Sequence, residues 1–255
     1  MLKNKIFRIL AGIILMLGMP LIVRAAGGDG FAVNPMSVMI SPTQPIQTLV
    51  VTNESTRPVL FDAKMYTWER NDKIDSYTPA VTKDVIVTPP VMRIMPNGKQ
   101  VMRVGLTKVP SLQKESLYRL YLTEIPSKES LDPNASQNNK RAAAIVVAMR
   151  IGIPVYIQPV NPVRKLSWDV QRIDKGIRVR VLNLGNTHIR ISKITATLQN
   201  SSEPIAEVAT YEKIFAGELS SEWILNIPAN QSGALKISAI TDMDTPLDAG
   251  KDYAL

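Results

Sequence analysis

A single histidine, His188, stands in the turn-like run NLGNTHIR, and the chain has no cysteine. Metal coordination by nitrogen and sulfur needs more ligands than this, and thiol chemistry needs a thiol. A Ser–His–Asp arrangement is formally available, but no G-x-S-x-G elbow frames a nucleophile. No G-x-G-x-x-G or G-K-[ST] loop is present to cradle phosphate. The paired acids Glu218 with Glu222 and Asp242 with Asp244 lie in turn-like sequence and read as solvated. His188 reads as a turn or surface histidine. The expectation is a protein that is not an enzyme and holds no metal and no cofactor.

The elements that carry these residues read as strands. IQTLVVTN (46–53), VLFDAKMYTW (59–68), KQVMRVGL (99–106) and SLYRLYLTEI (116–125) alternate or cluster β-formers. NESTRP, PNG and TPP between them are turn chemistry. No segment sustains a 3.6-residue apolar period. Short strands and turns over about 100 residues suggest an immunoglobulin-type sandwich. The polar run 125–141 separates the 116–125 strand from the next apolar stretch, which predicts a hairpin. QPVNPVRK, with two prolines, marks a boundary near residues 158–162. Beyond it, Ile177, Val179 and Val181 alternate with Arg178 and Arg180, and Ile189, Ile191 and Ile194 lie roughly in phase. A second, smaller all-β domain is expected.

The stretch AAAIVVAMRIGIPVYIQPV (142–160) departs from the alternation of a half-wet strand. Ala143, Ile145, Val147, Met149 and Ile151 face one side. Ala144, Val146, Ala148 and Arg150 face the other. The small set fits a sandwich interior, and the larger set then looks outward. A strand buried between the chain's own sheets would read the same way. An exposed apolar edge of this kind can pair with another chain's strand, with alternate side chains filling its pockets. Full burial of Ile145, Val147, Met149 and Ile151 is worth roughly 6–12 kcal/mol gross, before the cost of association.

The N-terminus has a secretory pattern: Lys3, Lys5 and Arg8, then the apolar stretch 9–23, then VRAAGG with cleavage placed after Ala25. The apolar run is shorter than the ~20 residues of a spanning helix. Removing residues 1–25 lowers the formal charge from +8 to +4. No dense Lys/Arg block remains, so nucleic acid is not an expected partner. The expected division is 1–25 signal peptide, 26–159 first domain and 160–255 second domain.

TPPVMRIMPNGKQVMRVGL (88–106), ESLYRLYLTEIP (115–126), the polar loop and AIVVAMRIGIPVYIQP (144–159) occur in that order. The series resembles the N-terminal domain of the periplasmic pilus chaperones, the PapD-like family. FAVNPMSVMISPTQPIQTLVVTNES (31–55) and VRVLNLGNTHIRISKI (179–194) fit the same plan. The resemblance implies an all-β chain of two immunoglobulin-like β-sandwich domains, set at an angle with a cleft between them. It implies that Ala142–Ile157 is lent to a pilus subunit whose own fold lacks a strand. Ile145, Val147, Met149 and Ile151 then plug the subunit's groove, and the subunit passes to an outer-membrane usher. It also implies a periplasmic location, and an open edge suggests self-association when no subunit is bound. Ser37 and Pro154 stand where the best-known members carry the Arg and Lys that anchor the subunit's terminal carboxylate. TWERNDKIDSYTP (67–79) and YRLYLTEIP (118–126) are more similar to the branch called archaic. Arg119 and Arg150, both expected toward the cleft end of the hairpin, are the candidate anchors.

Two other readings compete. A structural pilin or adhesin should carry a donor strand near its start, where AAGGDGFAVNPMSVMI is a fair candidate. A secreted carbohydrate-binding or hydrolytic sandwich needs a polar cleft with converging acids or aromatics, and aromatics are 5% of the chain.

Overall fold

In the strand Gly176–Asn183 apolar side chains recur at every second position from Ile177 to Val181, and Ile177, Val179 and Val181 are all buried. The same two-residue rhythm repeats through the molecule and dictates layered sheets. The computed structural model describes residues 30–80, 85–107, 113–126, 147–228, 231–242 and 246–254. Its strands, in chain order, begin with β1 (Phe31–Asn34), β2 (Val38–Ile40), β3 (Ile46–Asn53), β4 (Val59–Asn71) and β5 (Ile74–Pro79). They continue with β6 (Val85–Thr88), β7 (Val91–Ile94), β8 (Lys99–Leu106), β9 (Ser116–Glu124) and β10 (Arg150–Ile157). After Ile157 come β11 (Leu166–Ile173), β12 (Gly176–Asn183), β13 (Ile189–Leu198) and β14 (Pro204–Ile214). The last are β15 (Trp223–Asn226), β16 (Ala234–Thr241) and β17 (Leu247–Ala254).

These strands make two immunoglobulin-like sandwiches. In the first, the sheet β1-β3-β8-β6 faces the sheet β2-β10-β9-β4-β5, with β7 also paired to β4. Their inner side chains form one core that includes Leu49, Phe61, Met102, Leu120, Leu122 and Ile153. In the second, β11-β12-β15 faces β14-β13-β16-β17 around Val179, Ile191, Ile194, Trp223 and Ile237. Ile191 and Ile194 are three apart yet share this core. The register of β13 against β16 slips at Ser192 and restores the phase. On its other side, β14 fits Thr210 and Tyr211 opposite Ser192. Tyr211 takes φ 58° there and is 77% exposed.

Two local features shape the region between the sandwiches and the edge of the first. The hairpin between β4 and β5 turns on Asp72 and Lys73, both at positive φ, which matches the twist of a two-residue turn. Its tip carries Lys73 to the second sandwich, where Nζ lies 3.1 Å from Glu212 Oε1 and from Ser221 Oγ. The expected pairing of the 116–125 strand with the 142–160 stretch is present as β9 against β10, antiparallel.

Candidate functional site

In β10 the backbone groups alternate between two neighbours. The Glu124 amide donates to the Met149 carbonyl, and Arg150 lies opposite Thr123. Odd-numbered residues of β10 therefore bond to β9, and even-numbered ones point to the other side. On that side, β2 runs parallel to Val155–Ile157 only, and the Gln158 amide donates to the Ile40 carbonyl. Arg150, Gly152 and Pro154 face no strand there among the described residues. Pro154 sits where its missing N–H removes nothing from the β9 ladder, a position at which a sheet tolerates proline within a strand.

The side chains of β10 alternate as well. Ile153, Val155 and Ile157 are buried in the first core, and Ile151 packs against it half-buried. Arg150 is exposed on the opposite face. This reverses the sequence expectation, which turned the set containing Arg150 inward. The reason is that Ile153, Val155 and Ile157 extend the odd-numbered series, and only that series fills the core. Met149 is half-buried and Val147 is 76% exposed. Ile145 lies outside the described residues, as do 127–146 generally.

The opposite face of this sheet carries the two candidate arginines. Arg119 lies between Tyr66 on β4 and Pro154 on β10. Its guanidinium carbon stands 5.6 Å from the ring centroids of both Trp68 and Tyr77. Gly152 gives it room: a Cβ there would meet Arg119 Nε and Tyr121 Cε1 at 2.9 Å. Arg119 Nε is buried and has no hydrogen-bond acceptor among the described residues. Arg150 instead stacks 3.8 Å over Tyr121, at the end of β10 far from the second sandwich. The sequence expectation put both arginines toward the cleft, and the strand register separates them.

Between the sandwiches, Trp68, Tyr156 and Phe215 form a small apolar cluster. Trp68 meets Phe215 edge-on, with centroids 5.1 Å apart. Arg70 caps Phe215 at 4.8 Å and donates through Nε and Nη2 to Asp75, at 2.6 and 2.9 Å. Trp68 Nε1 also donates to Asp75. Arg70, with lesser help from Trp68 and Tyr77, holds the Asp75 carboxyl below the usual carboxylate range. Beside the cluster opens a cleft of about 860 Å³, lined by residues of both sandwiches that include Arg70, Lys114, Leu117 and Glu218. Glu218 is largely covered and accepts from the Phe215 amide, so it is not the solvated acid the sequence suggested.

His188 is a larger correction. It stands in the turn before β13, as expected, but it is only 4% exposed. Its Nδ1 lies 2.7 Å from Oε2 of buried Glu115, which also accepts the His188 amide. Its ring lies on Tyr156, with centroids 4.1 Å apart. Among the described residues, no group of three or more His, Asp or Glu could hold a metal ion.

The profile of the pili and flagellar-assembly chaperones, PapD N-terminal domain, matches residues 30–162, just over half of the chain. The chain belongs to the PapD-like chaperone family. A periplasmic location is typical of PapD-like proteins. Among PapD-like relatives, chaperone protein MrkB of Klebsiella pneumoniae is 30% identical over 116 residues, 45% of this chain and 48% of MrkB. The chain thus spans about half the length of that relative. Chaperone protein PapD of Escherichia coli is 26% identical over 220 residues, 78% of this chain and 84% of PapD. The PapD-like fold is shared with the class 5 fimbriae chaperone CfaA, at TM-score 0.58 and 13% identity over 89% of this chain and all of that one. It is shared also with a chain of the CsuC–CsuE chaperone–tip subunit complex of Acinetobacter baumannii. That match has TM-score 0.52 and 16% identity, over 86% of this chain and 97% of the other.

Sequence reading missed the residues of the PapD-like domain junction. Trp68, Tyr156, Phe215, Glu115 and Lys213 meet only after folding, and Glu115 and His188 are 73 residues apart. The one available signal was a lone histidine directly before a strand.

Proposed function

We propose that this chain is a periplasmic chaperone that completes pilus subunits by lending them the strand Ala142–Ile157, and then hands them to an outer-membrane usher. The observation that carries this reading is the flank of Arg150–Pro154, which no described strand pairs and which leads directly into exposed Val147. A visiting strand would find the Arg150 and Gly152 backbone groups free to bond. Val147 and Met149, with Ile145, would continue the odd-numbered face of β10 into the visitor's core. Ile151 joins them at the margin, half covered by its own sandwich.

In this reading Arg119 anchors the subunit's terminal carboxylate. A guanidinium with a buried, unpaired Nε suits a two-oxygen acceptor. Arg150, stacked on Tyr121, is the second candidate at the far end of the edge. The uncharged Ser37 and Pro154 favour the archaic branch. Residues 1–25 direct secretion, and the two functional units divide at 159/160. Without a subunit, a second copy of the chain covers the edge.

The test is co-expression with neighbouring secreted gene products in the periplasm, using Val147→Asp and Ile145→Asp. Capture should be lost while the chaperone stays folded, because Val147 is exposed and its exchange costs the free protein no more than about 0.5 kcal/mol. Normal yield of a subunit with Val147→Asp would sink the strand-lending reading.

A further inference from the structure

The core face of β9 runs Leu120, Leu122 and then Glu124, so a carboxylate ends a row that is otherwise apolar. Glu124 is only 3% exposed. A buried carboxylate is costly unless its oxygens are paired, and both are used here. Oε1 accepts from Arg57 Nη1 at 2.7 Å, and Oε2 accepts from the Met149 amide at 3.2 Å. The Glu124 amide donates in turn to the Met149 carbonyl at 2.8 Å. Residues opposite one another in a hydrogen-bonded antiparallel pair ordinarily exchange both bonds through the main chain. Here the Glu124 side chain takes the second bond, at the point where the ladder of Arg150–Ile157 stops. Val147 and Ala148, which come just before Met149 in the chain, are exposed. Arg57 is itself held in place by the turn between β3 and β4. Its carbonyl accepts from Asn53 Nδ2 at 2.8 Å and from Ser55 Oγ at 3.0 Å. Asn53 Nδ2 also reaches the Ile94 and Met95 carbonyls, and both Asn53 and Ser55 are buried.

We infer that Glu124, held by Arg57, is a positioning residue that fixes where the lent strand leaves the first sandwich, and so which of its side chains enter a guest's groove. This rests on the strand-lending reading. The β9 ladder sets the register of β10 as far as Arg150, and the Glu124 carboxylate carries it on to Met149, at the edge of the proposed plug. Strand side chains alternate, so a slip of one residue would turn Val147 out of the groove and Ala148 into it. Slippage would also leave Glu124 Oε2 buried without a partner, which opposes it. A turn between β3 and β4, far from the lent segment in sequence, thereby governs its alignment through one ion pair.

Amide hydrogen exchange, followed by NMR in the intact chain, reads the clamp without any subunit. Glu124→Gln keeps the shape but leaves a single oxygen, which Arg57 claims. Met149 exchange should then speed up by about tenfold, while the Leu122 and Ile153 amides of the core keep their rates. Arg57→Ala should act in the same direction, and Arg57→Lys should bring Met149 back toward its wild-type rate. Met149 exchange unchanged in Glu124→Gln overturns the clamp. So does an equal acceleration of all three amides, which would mean a purely structural role. The register is read from affinity for the subunit that co-purifies with the wild-type chain, in a cycle of Glu124→Gln with Val147→Ala. Val147→Ala should weaken binding by about tenfold in the wild-type background. In the Glu124→Gln background it should cost much less, because a slipped strand no longer seats residue 147. Equal losses in both backgrounds overturn the register-setting role and leave strand lending intact. No loss in either background sinks strand lending, and the register-setting role falls with it.

Discussion

His188 Nδ1 and Glu115 Oε2 lie 2.7 Å apart, both side chains buried, across the boundary between the two sandwiches. Glu115 precedes β9 and His188 precedes β13, so the contact ties the entry of one strand to the entry of another in the neighbouring unit. Asn186 in the same turn donates to the Gln113 carbonyl, and the Glu115 amide donates to the Asn186 carbonyl. The junction is thus a set of hydrogen bonds that cross between the sandwiches beside an aromatic cluster, with Glu115 Oε1 and Thr187 Oγ1 buried and left without a partner among the described residues.

His188→Ala should destabilise the chain by about 1–3 kcal/mol, because it strips a buried carboxylate oxygen of its side-chain partner. It also removes the ring that lies on Tyr156. Urea unfolding gives the number. A loss below about 0.5 kcal/mol would mean that the contact is not part of the junction's stability.

Gly152→Ala should disturb Arg119 without touching it in sequence. The added methyl meets Arg119 Nε and the Tyr121 ring at 2.9 Å, so both must move. If Arg119 is the anchor, subunit affinity should fall by about tenfold in this variant, as in Arg119→Ala, with little change in unfolding midpoint. Full affinity in both variants, measured by titration with a purified subunit, would remove Arg119 from the site.

Stability should rise as pH goes from about 8 toward 10. In that window the unfolded chain keeps the Lys213 proton that the folded chain has released, so loss of protons favours the folded state. Above pH 10 the slope reverses at Tyr156. Burial holds that phenol protonated in the folded chain after the unfolded one has ionised. Lys213→Met should flatten the rise between 8 and 10 in thermal or urea unfolding; an unchanged slope in that variant counts against the buried ammonium.

Tyr211→Gly should stabilise the free protein by about 1 kcal/mol, since a side chain at φ 58° carries strain that glycine does not. Tyr211 is 77% exposed, so little packing is lost with its ring. A destabilised Tyr211→Gly variant in calorimetry would show that the ring has a role in the free chain.

Much of the fold was legible because strand side chains alternate strictly. Ile177, Val179 and Val181 read as a core face and are one. The hairpin of β9 and β10 came from two apolar runs around one polar loop. The direction in which β10 turns its side chains was not legible. Both of its faces are apolar in sequence, and only the neighbours Ile153 and Val155 decide which one is filled. Nor was the parallel neighbour β2, three residues long, visible as the strand that closes part of the edge. The junction was hidden for a different reason. Lys73, Arg119, His188 and Lys213 are ordinary polar residues locally, and their surroundings come from strands far away in the chain. A lone histidine is a surface residue by default, and here a buried acid from the other sandwich overrides the default.

Pro154 has one more implication. It offers a carbonyl but no hydrogen to whatever lies along its outer side, so a guest strand zipped onto Arg150 and Gly152 meets a missing stitch before it reaches β2. On the proposed strand-lending reading, the hold on a guest would be weaker at the Pro154 end than at Arg150 and Gly152, and graded along the edge rather than uniform.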